Sequence, residues 1–528
     1  MMRAQETREN MSMLAVRGRR EGKLAAAAAF TLLVLVSGCN VGPKYHPPTA
    51  PAVTAPNFKE STVNFKDQDG WKVASPQEAT IRGNWWEMFN EPELNVLEEQ
   101  LNTNNQNIQV SYQNYMAARA LIAEARSQYW PQITFSPAWS RSRTSPNVSN
   151  GGSNVASGGG AATKGSTSSL WTLPIDVTWT PDFWGKIRNE VREAQYSAQS
   201  SAADLALERL SMQASLAQFY FEIRGQDELI AILDATVKAD KEALDVTQGA
   251  FDAGTGDYIA VVQAKGAWES ARASLVNAGL LRAQYEHAIA MLVGKIATDF
   301  SIPVRAQIYT APPIPLGVPS QLAERRPDVA ATERTVAAAN ATIGIGYGAF
   351  FPQVTLSAAG GLESSAFKHL FDIASRVWSI GPTASQVIFD GGLYRAQLHQ
   401  YEAQYNADVA TYRQTVLTAF QQVEDSLAAT RVYSQQILHQ QEAVKLAQQS
   451  FDLEKGRFNA GIDPYINVVT AQTTLLGEQV TLNNLQVQEM LSAVQLVQAL
   501  GGGWDASQLP TPAQAGAKVP GSAYTMQK

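Results

Sequence analysis

Between residues 398 and 427 the apolar side chains fall on one line. Leu398, Tyr401, Tyr405, Val409, Tyr412, Val416, Phe420, Val423 and Leu427 are separated by steps of three and four, 29 residues in eight steps. That mean of about 3.6 is the period of a straight helix, whereas a left-handed coiled coil would show about 3.5. Gln, Ala, Asp and Arg fill most other positions, so the pattern predicts a helix buried along one stripe. Residues 392–459 hold no proline, and no glycine lies between Gly392 and Gly456. As one helix they would span on the order of 100 Å. Medium helices are predicted at about 318–349 and 463–500, and two such helices end to end would nearly match the long one.

Elsewhere the period drops to two. Ile133, Phe135 and Trp139 are apolar, with Thr134, Ser136 and Ser140 polar. Trp171, Leu173, Ile175, Val177 and Trp179 alternate with Thr172, Asp176, Thr178 and Thr180. Val354, Leu356, Ala358, Trp378 and Ile380 continue the pattern, with Ser379, Thr383 and Ser385 polar. Segments of about ten residues with this alternation and aromatic ends are the mark of an outer-membrane β-barrel. Pro137, Pro174 and Pro382 interrupt the strands, and proline is expected only at edges or bulges. Residues 147–168, rich in Gly, Ser and Asn, read as an external loop.

The chain is also written twice. Phe251-Asp-Ala-Gly254 through Tyr258, Val261, Val262 and Ala264 recurs, 207 residues later, as Phe458-Asn-Ala-Gly461 through Tyr465, Val468, Val469 and Ala471. The same offset carries Gly185 to Gly392, Arg188 to Arg395, Arg224 to Arg431 and Gly294 to Gly501. Upstream, Trp130-Pro-Gln-Ile-Thr134 matches Phe351-Pro-Gln-Val-Thr355 at an offset of 221. Internal repetition of this kind means two copies of one structural unit. Each copy has the order medium helix, two strands, very long helix, medium helix. Two hairpins supply four strands, and a membrane barrel needs about eight or more. Open edges are not tolerated in lipid, so the barrel must be shared between chains. Two chains would fill the interior with side chains; three would leave a lumen.

The N-terminus carries an address. Arg17, Arg19, Arg20 and Lys23 precede the apolar run Leu24–Val36, which is too short to span a bilayer. Val36-Ser-Gly-Cys39 follows, so residues 1–38 read as a secretory signal peptide. A cysteine after small residues resembles a bacterial lipobox, with Cys39 lipidated as the mature N-terminus; Asn40 after it permits sorting to the outer membrane. Met11 or Met13 is an alternative start. No later stretch has the length and apolarity of a transmembrane helix.

Composition removes other classes. Lys and Arg number 41 against 48 Asp and Glu, a formal charge of −7. Cleavage after residue 38 removes six basic and three acidic residues, leaving 35 against 45, or −10. A nucleic-acid binder needs a basic surface. One cysteine excludes a disulfide framework or a Cys-rich metal site, and the five histidines at 46, 287, 369, 399 and 439 form no metal motif. Apolar residues at 45% and charged residues at 17% exclude a disordered chain. Gly344-Ile-Gly346-Tyr-Gly348 follows no strand, so it is not a dinucleotide loop. Lys164-Gly165-Ser166 lacks phosphate-loop spacing. The carboxylates Glu324/Asp328 and Glu424/Asp425 lie in helical runs and read as solvated pairs. No nucleophile–base pair or cofactor site is found, so no enzyme is expected.

Cys39-Asn-Val-Gly-Pro-Lys-Tyr45, Asn84-Trp-Trp86 with Phe89 and Leu94, Ala323-Glu-Arg-Arg-Pro-Asp328, Phe389-Asp-Gly-Gly392 and Leu500-Gly-Gly-Gly-Trp504 occur in this order. Together they resemble the TolC-like outer-membrane efflux proteins, in the lipoprotein branch related to nodulation protein T. The resemblance implies a mainly α fold with a small β part. Two tandem helix–strand–strand–helix–helix repeats would form a long α-helical barrel plus four strands of a β-barrel shared by a homotrimer. It divides the chain into the signal peptide 1–38, a lipidated extended segment 39–91, repeats 92–315 and 316–504, and a tail 505–528. It implies an exit channel for small apolar or amphipathic compounds, working with a periplasmic adaptor and an inner-membrane pump of the resistance-nodulation-division type. A channel for type I protein secretion is the alternative. No cofactor is implied beyond the lipid on Cys39, and no nucleic acid. The hairpin tips at Gly254 and Gly461 would meet the adaptor and close the pore. The family's Asp-Val-Leu-Asp falls on Asn467-Val468-Val469-Thr470, and its first-copy Asp on Ala260, so the usual acidic ring is absent. Its tip tyrosine falls on Phe458 and its arginine on Asp463. Ile466 would then form an apolar constriction, with Asp257 and Asp463 as the nearby acids.

Overall fold

A computed structural model of the chain describes residues 40–51, 58–60, 83–143, 145, 167–307, 309–314 and 322–516. The signal peptide, Cys39 and most of the predicted loop 147–168 lie outside these. The main elements, in chain order, are helices α1 (Pro92–Asn104) and α2 (Gln106–Ser127), strands β1 (Gln132–Phe135), β2 (Ala138–Arg143) and β3 (Thr167–Trp179), then helices α3 (Lys186–Asp252) and α4 (Tyr258–Leu292). The second series is α5 (Leu322–Arg325), α6 (Pro327–Gly348), β4 (Gln353–Ser364), β5 (Arg376–Ser385), α7 (Leu393–Asn459) and α8 (Tyr465–Ala499).

The repeat sets these boundaries. The 67 residues of α3 and of α7, and the 35 of α4 and of α8, begin and end at the offset of 207. The 22-residue helices α2 and α6 do so at 221. The predicted helix over 318–349 is instead broken at Arg326, because Pro327 takes the first position of α6, where its missing N–H costs nothing. The predicted stripe on α7 is confirmed, with all nine positions buried or half-buried.

The described residues within 1–46, 119–196 and 337–406 form one compact unit, and the remaining described residues form a second. The first unit holds a fully antiparallel sheet in the order β1/β2–β3–β4–β5. Five segments fill four strand positions, because Pro137 splits the first strand and both β1 and β2 pair with β3. The three prolines are accommodated in different ways. The Pro174 carbonyl accepts the Ser136 N–H at 3.4 Å. The donor that Pro174 lacks points the same way, toward the break at Pro137. On the other side Pro174 faces Gly361, where a Cβ would come within 2.3 Å of the Leu173 carbonyl oxygen. Pro382 lies on the edge strand β5.

Register gives the sheet two chemically different faces. Ile133, Val177, Ala358 and Ile380 form one row across it, and Phe135, Ile175, Gly360 and Trp378 another. The intervening row is Thr134, Asp176, Ala359 and Ser379. The large apolar members Ile133, Phe135, Trp378 and Ile380 are exposed. An apolar face that no other described residue covers, on a sheet whose two edges are unpaired among the described residues, suits lipid only once the edges are paired.

Glycines of the motif Gly344–Gly348 lie inside α6. A Cβ on Gly344 would meet the Asn189 amide at 2.5 Å, and one on Gly346 the Tyr401 ring at 2.8 Å, so they permit close helix packing. In the second unit Gly501, Gly502 and Gly503 all have positive φ, and a Cβ on Gly501 would lie 2.0 Å from the Arg325 carbonyl oxygen. Arg326 donates to the Ala499 carbonyl and to Asp328 there, at 3.0 and 2.6 Å. Glu424 accepts the N–H groups of Lys59 and Glu60 at 2.7 and 3.0 Å. The carboxylates weighed as solvated pairs are therefore partly structural. Among the described residues no helix is long and apolar enough to cross a membrane, and no cluster of side chains could hold a metal ion.

Candidate functional site at the hairpin tips

Each long helix passes into its shorter successor through the same turn. At the first tip Gly254 has φ +69° and donates to the Phe251 carbonyl, while Thr255 donates to Ala250. At the second, Gly461 has φ +71° and donates to Phe458, while Ile462 donates to Arg457. These paired bonds close a helix end with a left-handed residue, which glycine adopts without strain. A Cβ at either position would meet nothing within 4 Å, so conformation rather than crowding calls for glycine.

The candidate gate residues divide into two groups. Ile466 is 43% exposed, and Asn467 and Thr470 are exposed with it. The Thr470 hydroxyl is taken up by the Ile466 carbonyl at 2.9 Å. Ala260 does not join them. It packs on the buried Ala264, Tyr465 and Val468, together with Ala243, Leu244, Phe451, Phe458 and Val469, in the joint between the two hairpins.

The two acids also differ. Asp257 caps α4, accepting the Ile259 N–H at 3.1 Å. Asp463 is ion-paired with Arg457, whose Nη2 donates to Oδ1 at 3.2 Å. That guanidinium holds the Asp463 carboxyl below the usual carboxylate range. The resemblance placed the acid Asp463 where the family has arginine. The cation is instead supplied six residues upstream, inside the same turn.

A further polar tie crosses the joint. Gln472 donates to the buried Asp240 carboxylate at 2.6 Å. Burial outweighs that bond and pushes Asp240 up to about 6. Burial, with Asp240 nearby, pushes the Tyr465 hydroxyl up to about 12. A carboxyl raised in the folded state stabilises fully below its ordinary value, and that stability is lost as pH rises toward the folded value. Asp240→Asn keeps the acceptor and removes the charge. It should raise the melting temperature at pH 7.5, by on the order of 1–3 kcal/mol in stability, with the gain vanishing near pH 4. An equal gain at both pH values would rule out the charge as its source.

Sequence reasoning did not single out Arg457, Asp240, Gln472 or the role of Tyr465. The recurrence of Phe251 and Tyr258 as Phe458 and Tyr465 was the available signal for the last of these.

Residues 97–295 and 318–502, one span in each repeat, match the family described as outer membrane efflux protein. The chain belongs to that family. It is an outer-membrane efflux channel, and its family and relatives are channel proteins rather than enzymes. It is 30% identical over 489 residues to the solvent efflux pump outer membrane protein SrpC of Pseudomonas putida, covering 92% of this chain and 100% of that one. It is 29% identical over 483 residues to the antibiotic efflux pump outer membrane protein ArpC of the same species, covering 91% and 96%. The solved outer-membrane channel OprN superposes with a TM-score of 0.77 at 25% identity, covering 88% of this chain and 100% of that one. The family's helical barrel and partial sheet are thus the frame in which the two tips sit.

Proposed function

We propose that this chain is the exit duct of a tripartite efflux assembly. Three copies close one barrel, and the duct passively carries small apolar or amphipathic compounds outward. A periplasmic adaptor docks at the tips around Gly254 and Gly461, and an inner-membrane pump of the resistance-nodulation-division type supplies the energy. The duct itself catalyses no reaction and uses no cofactor. The observation that carries this reading is the sheet: four strand positions, an exposed apolar face and two unpaired edges. Lipid forbids such edges, and three copies give twelve strands and a lumen. The substrate class rests on the printed names of SrpC and ArpC, which concern solvents and antibiotics.

Deleting the gene in a strain without redundant channels should raise sensitivity to several unrelated apolar compounds, organic solvents among them. Unchanged sensitivity, with failed export of a protein instead, would favour type I secretion.

The same reading keeps the signal peptide at 1–38, the segment 39–91, the repeats 92–315 and 316–504, and the tail 505–528. It makes Cys39 the lipid anchor in the outer membrane. The support is positional. Val41 donates to the Trp184 carbonyl at 3.0 Å, and Asn189 and Asn340 donate to the carbonyls of Val41 and Pro43. The segment after Cys39 is thereby held just beyond the end of β3, where strand gives way to helix. Mass spectrometry of membrane-extracted protein should find a diacylglyceryl-modified Cys39, and Cys39→Ser should block processing. A mature chain still beginning at Met1 or Met13 would contradict this.

A further inference from the structure

We propose that Arg141, Arg143 and Arg376 form a site for the phosphate groups of an anionic lipid of the outer leaflet, whose acyl chains lie on the apolar rows of the same sheet face. This site rests on the shared-barrel reading above, with the helices in the periplasm, and adds which lipid the barrel's rim selects.

Register sorts the charges. Successive residues of a strand point to opposite faces, so alternate positions share one. Trp139 pairs with Trp171, four residues along β3 from Ile175, the partner of Phe135. Trp139 therefore shares the apolar face, and Arg141 and Arg143 follow it there, opposite Ser169 and Thr167. On β5, Arg376 pairs with Leu362, which pairs with Leu173, two residues from Ile175. All the cations of the described strands thus lie on the apolar face. Their acids, Asp176 and Glu363, lie on the other, with Asp176 opposite Thr134 and Glu363 opposite Thr172. In a chain of net charge −7, this sorting puts positive charge on the face that meets lipid.

The cations also gather at one end of the sheet. Arg143 ends β2 and Arg376 begins β5, while the opposite strand ends pass into α2, α3, α6 and α7. With the helices in the periplasm, the arginines lie at the outer leaflet. Trp171 joins Trp139 and Phe367 beside them, with ring centroids 5.5 and 5.0 Å apart. Such rings sit at the level of lipid headgroups. All three arginines are exposed, and the acid nearest Arg376 in sequence, Asp372, is taken by His369 at 2.9 Å. An arginine on a lipid-facing strand costs least at the interface, and its planar fork grips a phosphate through two hydrogen bonds. Arg141 and Arg143 are about 7 Å apart along the strand, which leaves room for two phosphate groups. Closing the barrel sets the β5 edge of one copy beside the first strand of the next, which brings Arg376 to the same rim.

Native mass spectrometry of the full-length protein in detergent, titrated with diphosphorylated lipid A, tests this. The unaltered protein should retain the lipid. Binding should weaken by roughly fivefold for each arginine replaced by glutamine, the effect of one basic residue beside an anionic lipid. Arg141→Gln, Arg143→Gln and Arg376→Gln combined should therefore nearly abolish it. Lys265→Gln, Arg413→Gln and Lys455→Gln combined remove the same charge from exposed helix positions and should leave binding unchanged. Equal binding by the arginine variant, or of zwitterionic phosphatidylcholine by the unaltered protein, would show that the face takes acyl chains without reading charge, and would overturn the proposal. If inorganic phosphate alone raises the melting temperature as lipid A does, and the arginine variant loses that rise, the site belongs to free phosphate and the lipid assignment is wrong. The same spectra count the copies. Intact trimers that retain no lipid sink the proposal alone, whereas monomers without lipid sink the shared-barrel reading with it.

Discussion

Replacing Asp227 with leucine should strip the chain of much of its stability. Asp227 is fully buried on α3 and accepts three donors: Arg224 Nη1 at 2.9 Å, Arg282 Nε at 2.6 Å and the Arg305 N–H at 2.9 Å. Arg224, itself buried, also donates to Glu93 and to the Pro303 carbonyl. Arg282 donates to the Ile302 carbonyl, and Glu286 accepts the Ile302 N–H. One carboxylate thus fastens α3, α4 and residues 302–305 together. Without it, a buried guanidinium and a largely buried one each lose one of two counter-charges, Arg224 keeping only Glu93 and Arg282 only Glu286. Breaking such a pair from one side costs about 3–5 kcal/mol, a large part of what ordinarily holds a domain folded. Detergent-extracted Asp227→Leu should melt many degrees lower or fail to assemble. Asp227→Asn, which keeps an acceptor, should fall in between. A melting temperature unchanged in the leucine variant would show that the network only decorates a joint held by packing.

Arg224 shows how much of this was legible. It stood out because the repeat carries it to Arg431, and Arg431 likewise pairs with an acid, Glu60, at 2.6 Å. Nothing in the spacing named Glu93, Asp227 or Arg282 as partners, since those contacts come from segments distant in the chain. The helices were legible because their cause is local: an apolar stripe at one period, ended by glycine and proline. The sheet was legible because alternation reports its two faces. Pro137 was legible as an interruption of the first strand, but that Pro174 faces the break from the neighbouring strand was not, because register is set between strands. Glu98 marks another limit. It shares the stripe of Leu94, Leu97 and Leu101 on α1, is buried with neither oxygen hydrogen-bonded, and burial drives its pKa well up. By residue type alone, any reading of the sequence would place it in solvent.

The tips were legible as turns and poorly legible as a gate. Gly254 and Gly461 follow from helix-end geometry, and Ile466, Asn467 and Thr470 do lie together on an open face. Ala260 was placed with them by alignment to a family motif, and alignment does not say which way a side chain packs. The Arg457–Asp463 pair was missed because its cation lies before the turn and its acid after it, so no helical spacing links them.

Replacing Ile466 with alanine should raise single-channel conductance in planar bilayers. Ile466 is a large apolar side chain on the exposed face of the second tip, and three copies near an axis would form a ring that blocks ions by dewetting. In that ring the acids beside it would set the sign of what passes. Arg457 balances Asp463 within each chain, so the ring is less acidic than its carboxylates imply. Because Arg457 holds the Asp463 carboxyl below the usual range, the pair persists at neutral pH and is lost only as pH falls through that lowered value. Arg457→Gln should therefore raise cation selectivity by leaving one carboxylate unbalanced in each chain. Aspartates restored at 467 and 470 should raise it further and add block by multivalent cations. Should Ile466→Ala leave conductance unchanged while substitutions at Asp257 or Asp463 raise it, the narrowest ring lies at the acidic turn. Ile466 would then serve only the packing between neighbouring hairpins.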